Sequence, residues 1–308
     1  MMKAVQIEKY GPNNDVLKVN EIPSPPLNSG QVLVKTKAFG VNPFDWKLRS
    51  GIFSEFYPLA LPYTLGFEAS GVVIKVADDV KQFKPGDKVY GRAVHAFAEE
   101  VVFDVASIYL IPDFLTFEEA AALPGSSQTA FNALVTLGQV KKDQKVFIHA
   151  GSGGVGIAAI QIAKYYGAHV TTTVSEKNID FVKSLGADAV IDYKKTDLAT
   201  ITEKFDFILD TIGGETQIKS WPLLKDTGIL VSLLGDESSQ FDNIQPKQTF
   251  IFAEEIKEDR SEEVHQLISS HNIKPIVDEV FAFKNVNQAL QKSETGRAVG
   301  KIIVRVLK

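Results

Sequence analysis

The feature that most constrains the fold of this chain is a glycine-rich turn between an apolar, strand-like run and an amphipathic helix. Residues 146–149 read Val-Phe-Ile-His, the composition of a short buried strand, and residues 155–166 have the apolar spacing of a helix. The turn between them has the spacing G-x-G-x-x-G, and its predicted ligand-binding residues are Gly151, Ser152, Gly153, Gly154, Val155 and Gly156. In this context glycines permit a tight turn, close approach of backbone to a pyrophosphate, and tight packing of helix on strand. The pattern therefore predicts a dinucleotide-binding turn, with phosphate at the positive end of the helix dipole.

The rest of the chain shows two kinds of sequence pattern. Roughly its first third alternates short β-like runs with turns rich in proline, glycine and asparagine, which indicates an irregular, mostly antiparallel β domain. From about Glu118, β-branched runs alternate with helical stretches, which favours a doubly wound parallel sheet. Residues 249–253 are predicted to form a last strand, followed by a helix over 261–270 and a final strand over 301–306. The sequence thus predicts an α/β protein with two domains.

Composition narrows the range of partners and chemistry. The 308 residues carry a formal net charge of −5, so the basic field that nucleic acid or an anionic membrane requires is missing. The chain has no cysteine, which excludes disulfides, thiolate nucleophiles and thiolate metal sites and fits a reducing compartment. No apolar run approaches the length of a membrane span, and the N-terminal residues lack the pattern of a targeting segment. We therefore expect a cytoplasmic protein with no nucleic-acid or membrane partner.

The residues after the second strand of the dinucleotide fold indicate which cofactor binds. NAD-specific sites usually place an acid there, about twenty residues beyond the glycine turn, against the ribose 2′-hydroxyl. The strand over 169–174 is followed instead by Ser175, with Lys177 close by, and a hydroxyl beside a cation suits a 2′-phosphate. The prediction is therefore NADPH, with Ser175 and Lys177 as cofactor-binding residues. Two alternatives stay open: Lys177 as an exposed loop lysine, and a one-residue shift that turns Glu176 toward the ribose.

Several short motifs occur along the chain in a fixed order. They occupy residues 40–51, 65–71, 86–91, 119–124, 210–214 and 296–301. In this order and spacing they resemble the medium-chain dehydrogenase/reductase superfamily, and within it the zinc-free quinone oxidoreductases and the NADPH-dependent alkenal or enone reductases. The first motif resembles that group's segment V-N-P-x-D-x-K-x-R-x-G. The resemblance covers the chain almost from end to end.

The resemblance implies a domain plan and further site residues. It implies a GroES-like, β-rich substrate domain from residues 1–118 and 259–308, and a Rossmann domain from residues 119–258 that binds NADPH in the cleft between them. The residues that it adds to the cofactor-binding set are Asn42, Thr129, near the nicotinamide, and Tyr193, at the adenosine end. For Tyr193 the alternative is a tyrosine that merely ends a strand. The resemblance also implies a homodimer, in which residues 249–253 pair across a twofold axis; a covered edge strand in a monomer is the alternative.

The same motifs bear on the chemistry. Zinc-dependent relatives place a cysteine in the first segment and a histidine after the glycine of the second. These positions fall near Asn42 and on Phe67 here, so the chain lacks those zinc ligands. Without a metal ligand set, a cysteine or a tyrosine-lysine pair, the expected reaction is hydride delivery to a small-molecule electrophile, a quinone or an α,β-unsaturated carbonyl compound. Lys47 is predicted to be the catalytic residue, polarising the substrate carbonyl; a solvated lysine paired with a nearby acid is the alternative.

Further expectations concern supporting residues and a competing function. An NADPH-binding protein with a structural or regulatory role and little turnover is the alternative hypothesis, because resemblance defines a cofactor site better than it defines catalysis. The aromatic stretch at 53–57, with Tyr63, is expected either to line an apolar substrate pocket or to pack within a loop. Glu68 and His149 are both expected to be structural rather than catalytic.

Overall fold

The fold is described for residues 1–12, 14–235, 247–250 and 260–306 of a computed structural model. The strands are β1 (Met2–Ile7), β2 (Leu17–Ile22), β3 (Gln31–Val41), β4 (Tyr63–Thr64), β5 (Glu68–Val76), β6 (Lys88–Arg92), β7 (Glu100–Asp104), β8 (Ile108–Leu110), β9 (Lys145–Ile148), β10 (His169–Val174), β11 (Ala189–Asp192), β12 (Phe205–Asp210), β13 (Leu224–Ser232), β14 (Lys247–Phe250), β15 (Val277–Ala282) and β16 (Lys301–Arg305). The α-helices are α1 (Pro43–Ser50), α2 (Phe117–Ala121), α3 (Pro124–Phe131), α4 (Gly154–Tyr165), α5 (Ile179–Ser184), α6 (Gly214–Ser220), α7 (Ser261–Ser269) and α8 (Val286–Glu294).

Contacts separate the chain into two compact units. One is formed by Met1–Gly125 with Pro275–Lys308, and the other by Ser126–Lys274. These units differ from the predicted domains over residues 119–125, which belong to the first unit, and over the stretch up to Lys274, which belongs to the second. The prediction followed the change from β-like to helical composition, whereas the units follow packing.

Local contacts explain where the units end. Helix α2 packs on β3 and β5, and the amide of Gly125 donates to the carboxylate of Glu68, so this helical stretch belongs with the β-rich unit. The side chain of Gln161 in α4 accepts from the amide of Lys274 at 2.9 Å and donates to its carbonyl at 3.2 Å. The segment that follows α7 is therefore tied to the second unit.

The first unit is built on two sheets. The smaller has the strand order β2-β1-β4 and is antiparallel, and the larger has the order β15-β16-β3-β5-β6-β8, with β7 also paired to β3. Strand β16 pairs antiparallel with β3, with Ile303 opposite Gly40, so C-terminal residues complete a sheet that N-terminal residues begin. The core is apolar, and the rings of Phe39 and Phe97 stack in it with 4.4 Å between centroids. The predicted irregular, largely antiparallel β domain is confirmed.

The second unit is a parallel sheet in which helices α4, α5 and α6 follow strands β9, β10 and β12. Its strand order is β11-β10-β9-β12-β13-β14, and every pair in it is parallel. The chain first leaves β9 toward β10 and β11 and later returns to β12 on the other side, so the order reverses between β9 and β12. Doubly wound sheets bind ligands in the crevice at this switch point, outside the carboxyl ends of the strands. The glycine turn follows β9 and lies there, and the predicted doubly wound sheet is confirmed.

Elements near the C-terminus agree closely with their predicted spans where they are described. The predicted helix over 261–270 is α7, and the predicted strand over 301–306 is β16. The predicted strand over 249–253 overlaps β14, and its residues 251–253 lie outside the described residues. Within the described ranges, no helix combines the length and the apolar character needed to cross a bilayer.

Candidate active site

Two glycines of the turn after β9 are required by packing inside the protein. A β-carbon on Gly151 would lie 2.1 Å from Oγ1 of Thr172, and one on Gly156 would lie 2.3 Å from the carbonyl oxygen of Ala150. Both distances are far below van der Waals contact, and the backbone of Ala150 cannot swing aside as a flexible side chain can. These glycines therefore allow the turn to close tightly between β9 and α4.

Gly153 differs, because no close contact inside the protein requires its lack of a side chain. A β-carbon there would meet only the carbonyl oxygen of Ala150, at an ordinary 3.4 Å, and its φ of −81° is open to any residue. Gly153 is the N-cap of α4, a helix of 12 residues, and offers no side chain to cap it. The N–H groups of Gly154 to Gly156 are thus available to a ligand, an arrangement that fits the pyrophosphate of a dinucleotide.

The contrast between the two kinds of glycine gives a testable prediction. Gly153→Ala is expected to cost about 1 kcal/mol or less of stability, since alanine is only a poorer N-cap, yet to weaken dinucleotide binding at least about tenfold by filling the cradle. Gly156→Ala is expected to cost about 1–3 kcal/mol or more, because its β-carbon overpacks the turn. Urea unfolding and a cofactor titration on both variants test this. Unchanged affinity in the Gly153→Ala variant would contradict the assignment.

A buried histidine holds the end of β9. Nε2 of His149 lies 2.8 Å from Oγ of Ser220, and Nδ1 lies 3.3 Å from Oγ1 of Thr173. That threonine oxygen also accepts from the amide of Ala150, whose φ is +51°. Burial lowers the pKa of His149 to about 4, against the opposite effect of the Asp210 carboxylate, so the ring is neutral near pH 7. These contacts give His149 a supporting role in the turn.

The residues that follow β10 and β11 lie at the same edge of the sheet. Val174 and Asp192 pair at the ends of the two parallel strands, and the amide of Tyr193 donates to the carbonyl of Val174 at 3.2 Å. Ser175 is half-buried, Lys177 is exposed, and Tyr193 is 57% exposed. The sheet thus brings Ser175, Lys177 and Tyr193 to the edge where the glycine turn also lies.

A hydrogen bond joins this edge to the glycine turn. Nδ2 of Asn178 donates to Oγ of Ser152 at 3.1 Å, and the amide of Asn178 donates to the carbonyl of Ser175 at 2.8 Å. Asn178 is not among the residues that the sequence predicts for the site. Its hydrogen bond to Ser152 forms because β9 and β10 are neighbours in the sheet, and no local sequence pattern predicts that pairing.

Thr129 lies in the second unit, on α3, and is half-buried. Its neighbour Gln128 donates to Oδ1 of Asn132 at 2.9 Å along the same face, and both of these side chains are buried. The position of Thr129 near the nicotinamide stays a prediction.

The first unit contains a buried polar cluster around Glu68. Oε1 of Glu68 accepts from Nζ of Lys301 at 2.6 Å and from Nδ2 of Asn42 at 2.8 Å, and Oε2 accepts from the amide of Gly125 at 2.6 Å. A β-carbon on Gly40 would lie 2.2 Å from Oε1, so backbone also closes around the carboxylate. A buried carboxylate with both oxygens engaged is suited to holding segments together. Glu68 joins β5, β16 and the segments that precede α1 and open α3.

The same cluster engages Asn42, which the resemblance assigns to the cofactor. Nδ2 of Asn42 donates to Glu68, and Oδ1 accepts from Nζ of Lys301. One amide hydrogen is left for another partner. Asn42 therefore has a packing role, and contact of its side chain with cofactor stays a prediction. Lys301 was not predicted to belong to this cluster. The one sequence feature that could have indicated it is its position at the end of the motif at 296–301.

Lys47 is half-buried on α1, the helix that follows Asn42. Its Nζ lies 5.7 Å from the centroid of the Trp46 ring, and burial lowers its pKa. The start of the helix is fixed by Asp45, whose Oδ2 accepts from the amide of Asn42 at 2.7 Å. None of the carboxylates in the described ranges forms an ion pair with Lys47. The alternative, in which Lys47 is a solvated lysine paired with a nearby acid, therefore finds no such acid among the described residues.

Aromatic rings surround Phe44 on the same helix. Its ring centroid lies 5.5 Å from that of Phe53, 6.4 Å from that of Tyr57 and 5.1 Å from that of Phe67. Phe67 stands where zinc-dependent relatives are expected to carry a histidine, and here it packs against Phe44. Phe56 is 87% exposed and does not join the cluster. The aromatic stretch therefore packs against the helix that carries Lys47.

Comparison with known proteins agrees with this geometry. The alcohol dehydrogenase GroES-like domain matches residues 28–113, and the zinc-binding dehydrogenase family matches residues 185–304. The chain is 34% identical over 318 residues to the chloroplastic NADPH-dependent alkenal/one oxidoreductase of Arabidopsis thaliana, covering 98% of this chain and 79% of the relative. The quinone oxidoreductase of Coxiella burnetii is 34% identical, with a TM-score of 0.90 and 99% of both chains covered. The Escherichia coli quinone oxidoreductase complexed with NADPH is 27% identical, with a TM-score of 0.89, covering 99% of this chain and 100% of that one.

The fold and these relatives define the class of protein. The chain belongs to the medium-chain dehydrogenase/reductase superfamily, in its zinc-free group of quinone oxidoreductases and alkenal or enone reductases. Its predicted GroES-like and Rossmann architecture is confirmed. Although one matching family is described as zinc-binding, the part of the chain that the structure describes has no group of three His, Cys, Asp or Glu side chains placed to hold a metal ion.

Proposed function

We propose that this protein is a zinc-independent oxidoreductase that uses NADPH to deliver hydride to quinones or α,β-unsaturated carbonyl compounds. The observation that carries the proposal is the turn after β9, where Gly153 leaves the N-terminus of α4 uncovered although packing does not demand a glycine there. The names of the relatives support the cofactor and the substrate classes: one is NADPH-dependent and acts on alkenals and enones, and others are quinone oxidoreductases.

The proposed cofactor site has two parts in the second unit. The N–H groups from Gly154 to Gly156 would hold the pyrophosphate at the positive end of the α4 dipole. Ser175, Lys177 and Tyr193 would surround the ribose and its 2′-phosphate, the hydroxyls by hydrogen bonds and the ammonium by charge. Bound NADPH supplies the hydride.

Lys47 is the proposed electrophilic group of the chain. When hydride reaches the β-carbon of an enone, negative charge develops on the carbonyl oxygen. A cation held beside that oxygen stabilises the transition state more than the ground state. Partial burial of Lys47 strengthens such an interaction, because desolvation weakens the screening of its charge.

The proposed role of Lys177 predicts a preference for NADPH over NADH of about tenfold to a hundredfold, since a charge-assisted phosphate contact contributes roughly 1.5–3 kcal/mol. Lys177→Ala is expected to remove most of that preference by weakening NADPH binding alone. Fluorescence titrations with both cofactors measure it. Lys183→Ala is a matched control, because this exposed lysine lies in the last turn of α5, at the opposite edge of the sheet. Equal dissociation constants for NADPH and NADH in the parent protein would reject the cofactor assignment.

We also propose a homodimer and a cytoplasmic location. In the described part of the second sheet, β14 is the last strand, and an edge strand of this kind is suited to pairing across a twofold axis. Light scattering at micromolar concentration should return twice the chain mass of 33.8 kDa, and a single-chain mass would reject the dimer. The location rests on the cysteine-free, acidic composition, and fractionation of cells that express the chain tests it.

The proposed activity is tested by steady-state assays that follow NADPH absorbance with a panel of quinones, enals and enones. We expect turnover with at least one class of electrophile. Tight NADPH binding with no turnover across the panel would favour a structural or regulatory role instead.

A further inference from the structure

An exposed ion pair lies beside the proposed 2′-phosphate site and belongs to none of its predicted residues. Nζ of Lys195 lies 2.6 Å from Oε1 of Glu176, with both side chains mostly exposed. Glu176 follows β10 and Lys195 follows β11, two strands that end level with each other. The pair therefore spans the tip of the sheet between the two loops that would hold the adenosine end of the cofactor.

Glu176 is an acid at a position where a carboxylate favours NADH over NADPH. It follows Ser175 directly, and an acid at the end of this strand typically accepts from the 2′-hydroxyl of NADH. The same carboxylate repels a 2′-phosphate, which carries close to two negative charges. Asn178, in the same turn, donates to Ser152 of the glycine turn, so the turn that carries Glu176 is anchored beside the proposed phosphate site.

The turn that carries Lys195 is fixed by its own backbone contacts. The amide of Lys195 donates to the carbonyl of Asp192 at 3.0 Å, and the amide of Lys194 donates to Oδ1 of Asp192 at 3.0 Å. The Asp192 carboxylate is thereby engaged within its own turn. Glu176 is the acid with which Lys195 forms an ion pair.

We propose that Lys195 determines cofactor specificity by holding Glu176 in this ion pair. The ion pair holds the Glu176 carboxylate toward the turn after β11 rather than toward a 2′-hydroxyl, and the pair presents no net negative charge to a 2′-phosphate. The proposal rests on the NADPH function proposed above and assigns a residue outside the predicted cofactor-binding set. Lys195 acts through Glu176, so it is a positioning residue rather than a phosphate ligand.

The test compares the parent protein with Lys195→Ala, Glu176→Gln and the double variant, by fluorescence titration with NADPH and with NADH. In Lys195→Ala, the dissociation constant for NADPH should rise about fivefold, the size of one partly screened charge interaction, and that for NADH should fall about threefold as Glu176 is released. In the double variant the NADH constant should return to the parent value, because no carboxylate is left to release.

The NADH titration separates this mechanism from a direct contact. If Lys195 only attracted the phosphate, its removal would weaken NADPH and leave NADH unchanged, and that result overturns the proposal. A gain in NADH affinity that persists in the double variant also overturns it. Lys183→Ala controls for net charge and should change neither constant by more than about twofold. A parent protein that binds neither cofactor rejects the proposed function itself, whereas a parent that prefers NADPH with an unaffected Lys195→Ala variant rejects this inference alone.

Discussion

Replacing Lys47 with methionine is expected to lower kcat for an enal by about a hundredfold, roughly 3 kcal/mol of transition-state stabilisation. Methionine keeps an apolar stem of similar length but removes the ammonium, whose Nζ lies 5.7 Å from the centroid of the Trp46 ring. The loss should fall on kcat, because the charge on the carbonyl oxygen develops in the transition state. Quinones spread incoming charge over a ring and two oxygens, so their turnover should depend on Lys47 less.

The assay follows NADPH consumption with one enal and one quinone after NADPH affinity has been shown to be unchanged. Lys35→Met serves as a control, because this lysine lies on β3 of the same unit and its side chain is exposed. A kcat for the enal within about threefold of the parent would mean that Lys47 is not the electrophilic group.

Replacing Lys301 with methionine is expected to lower the free energy of unfolding by about 3–5 kcal/mol. The change leaves the Glu68 carboxylate buried with hydrogen bonds from Asn42 and Gly125 but without its counter-ion. Adding Glu68→Gln to Lys301→Met should recover at least half of the loss, because the double variant buries no unpaired charge.

Urea unfolding of the three proteins measures this, with Lys195→Met as a matched control. Lys195 and Glu176 have the same 2.6 Å separation as Lys301 and Glu68, but they are exposed, so the control should lose less than about 1 kcal/mol. Equal losses for Lys301→Met and Lys195→Met would mean that burial does not increase the contribution of the Lys301–Glu68 ion pair to stability.

The parts of the fold that the sequence predicts well depend on local patterns. The glycine turn is predictable because Gly151, Gly153 and Gly156 act within a few residues of one another, between a strand and a helix that each have a local signature. The parallel sheet is predictable because strands and helices alternate along the chain. The family motifs add the long-range information that places a C-terminal strand with N-terminal ones.

The parts that escape prediction depend on contacts between distant residues. Lys301 meets Glu68 across 233 positions, and no spacing in the sequence relates the two. Asn178 reaches Ser152 only because β9 and β10 are adjacent. The unit boundaries also follow contacts rather than composition, since Gly125 is held by a carboxylate in β5.

The reaction proposed for this protein is transfer of hydride from NADPH to an electrophilic carbon. The most direct measurement is a turnover with NADPH that carries deuterium at the transferable position of the nicotinamide, followed by mass and magnetic resonance analysis of the product of an α,β-unsaturated aldehyde. We predict one deuterium atom per product molecule, located at the β-carbon, and about hundredfold slower formation of labelled product when Lys47 is replaced by methionine. A product without deuterium, or consumption of NADPH with the aldehyde unchanged, would contradict the proposed hydride transfer.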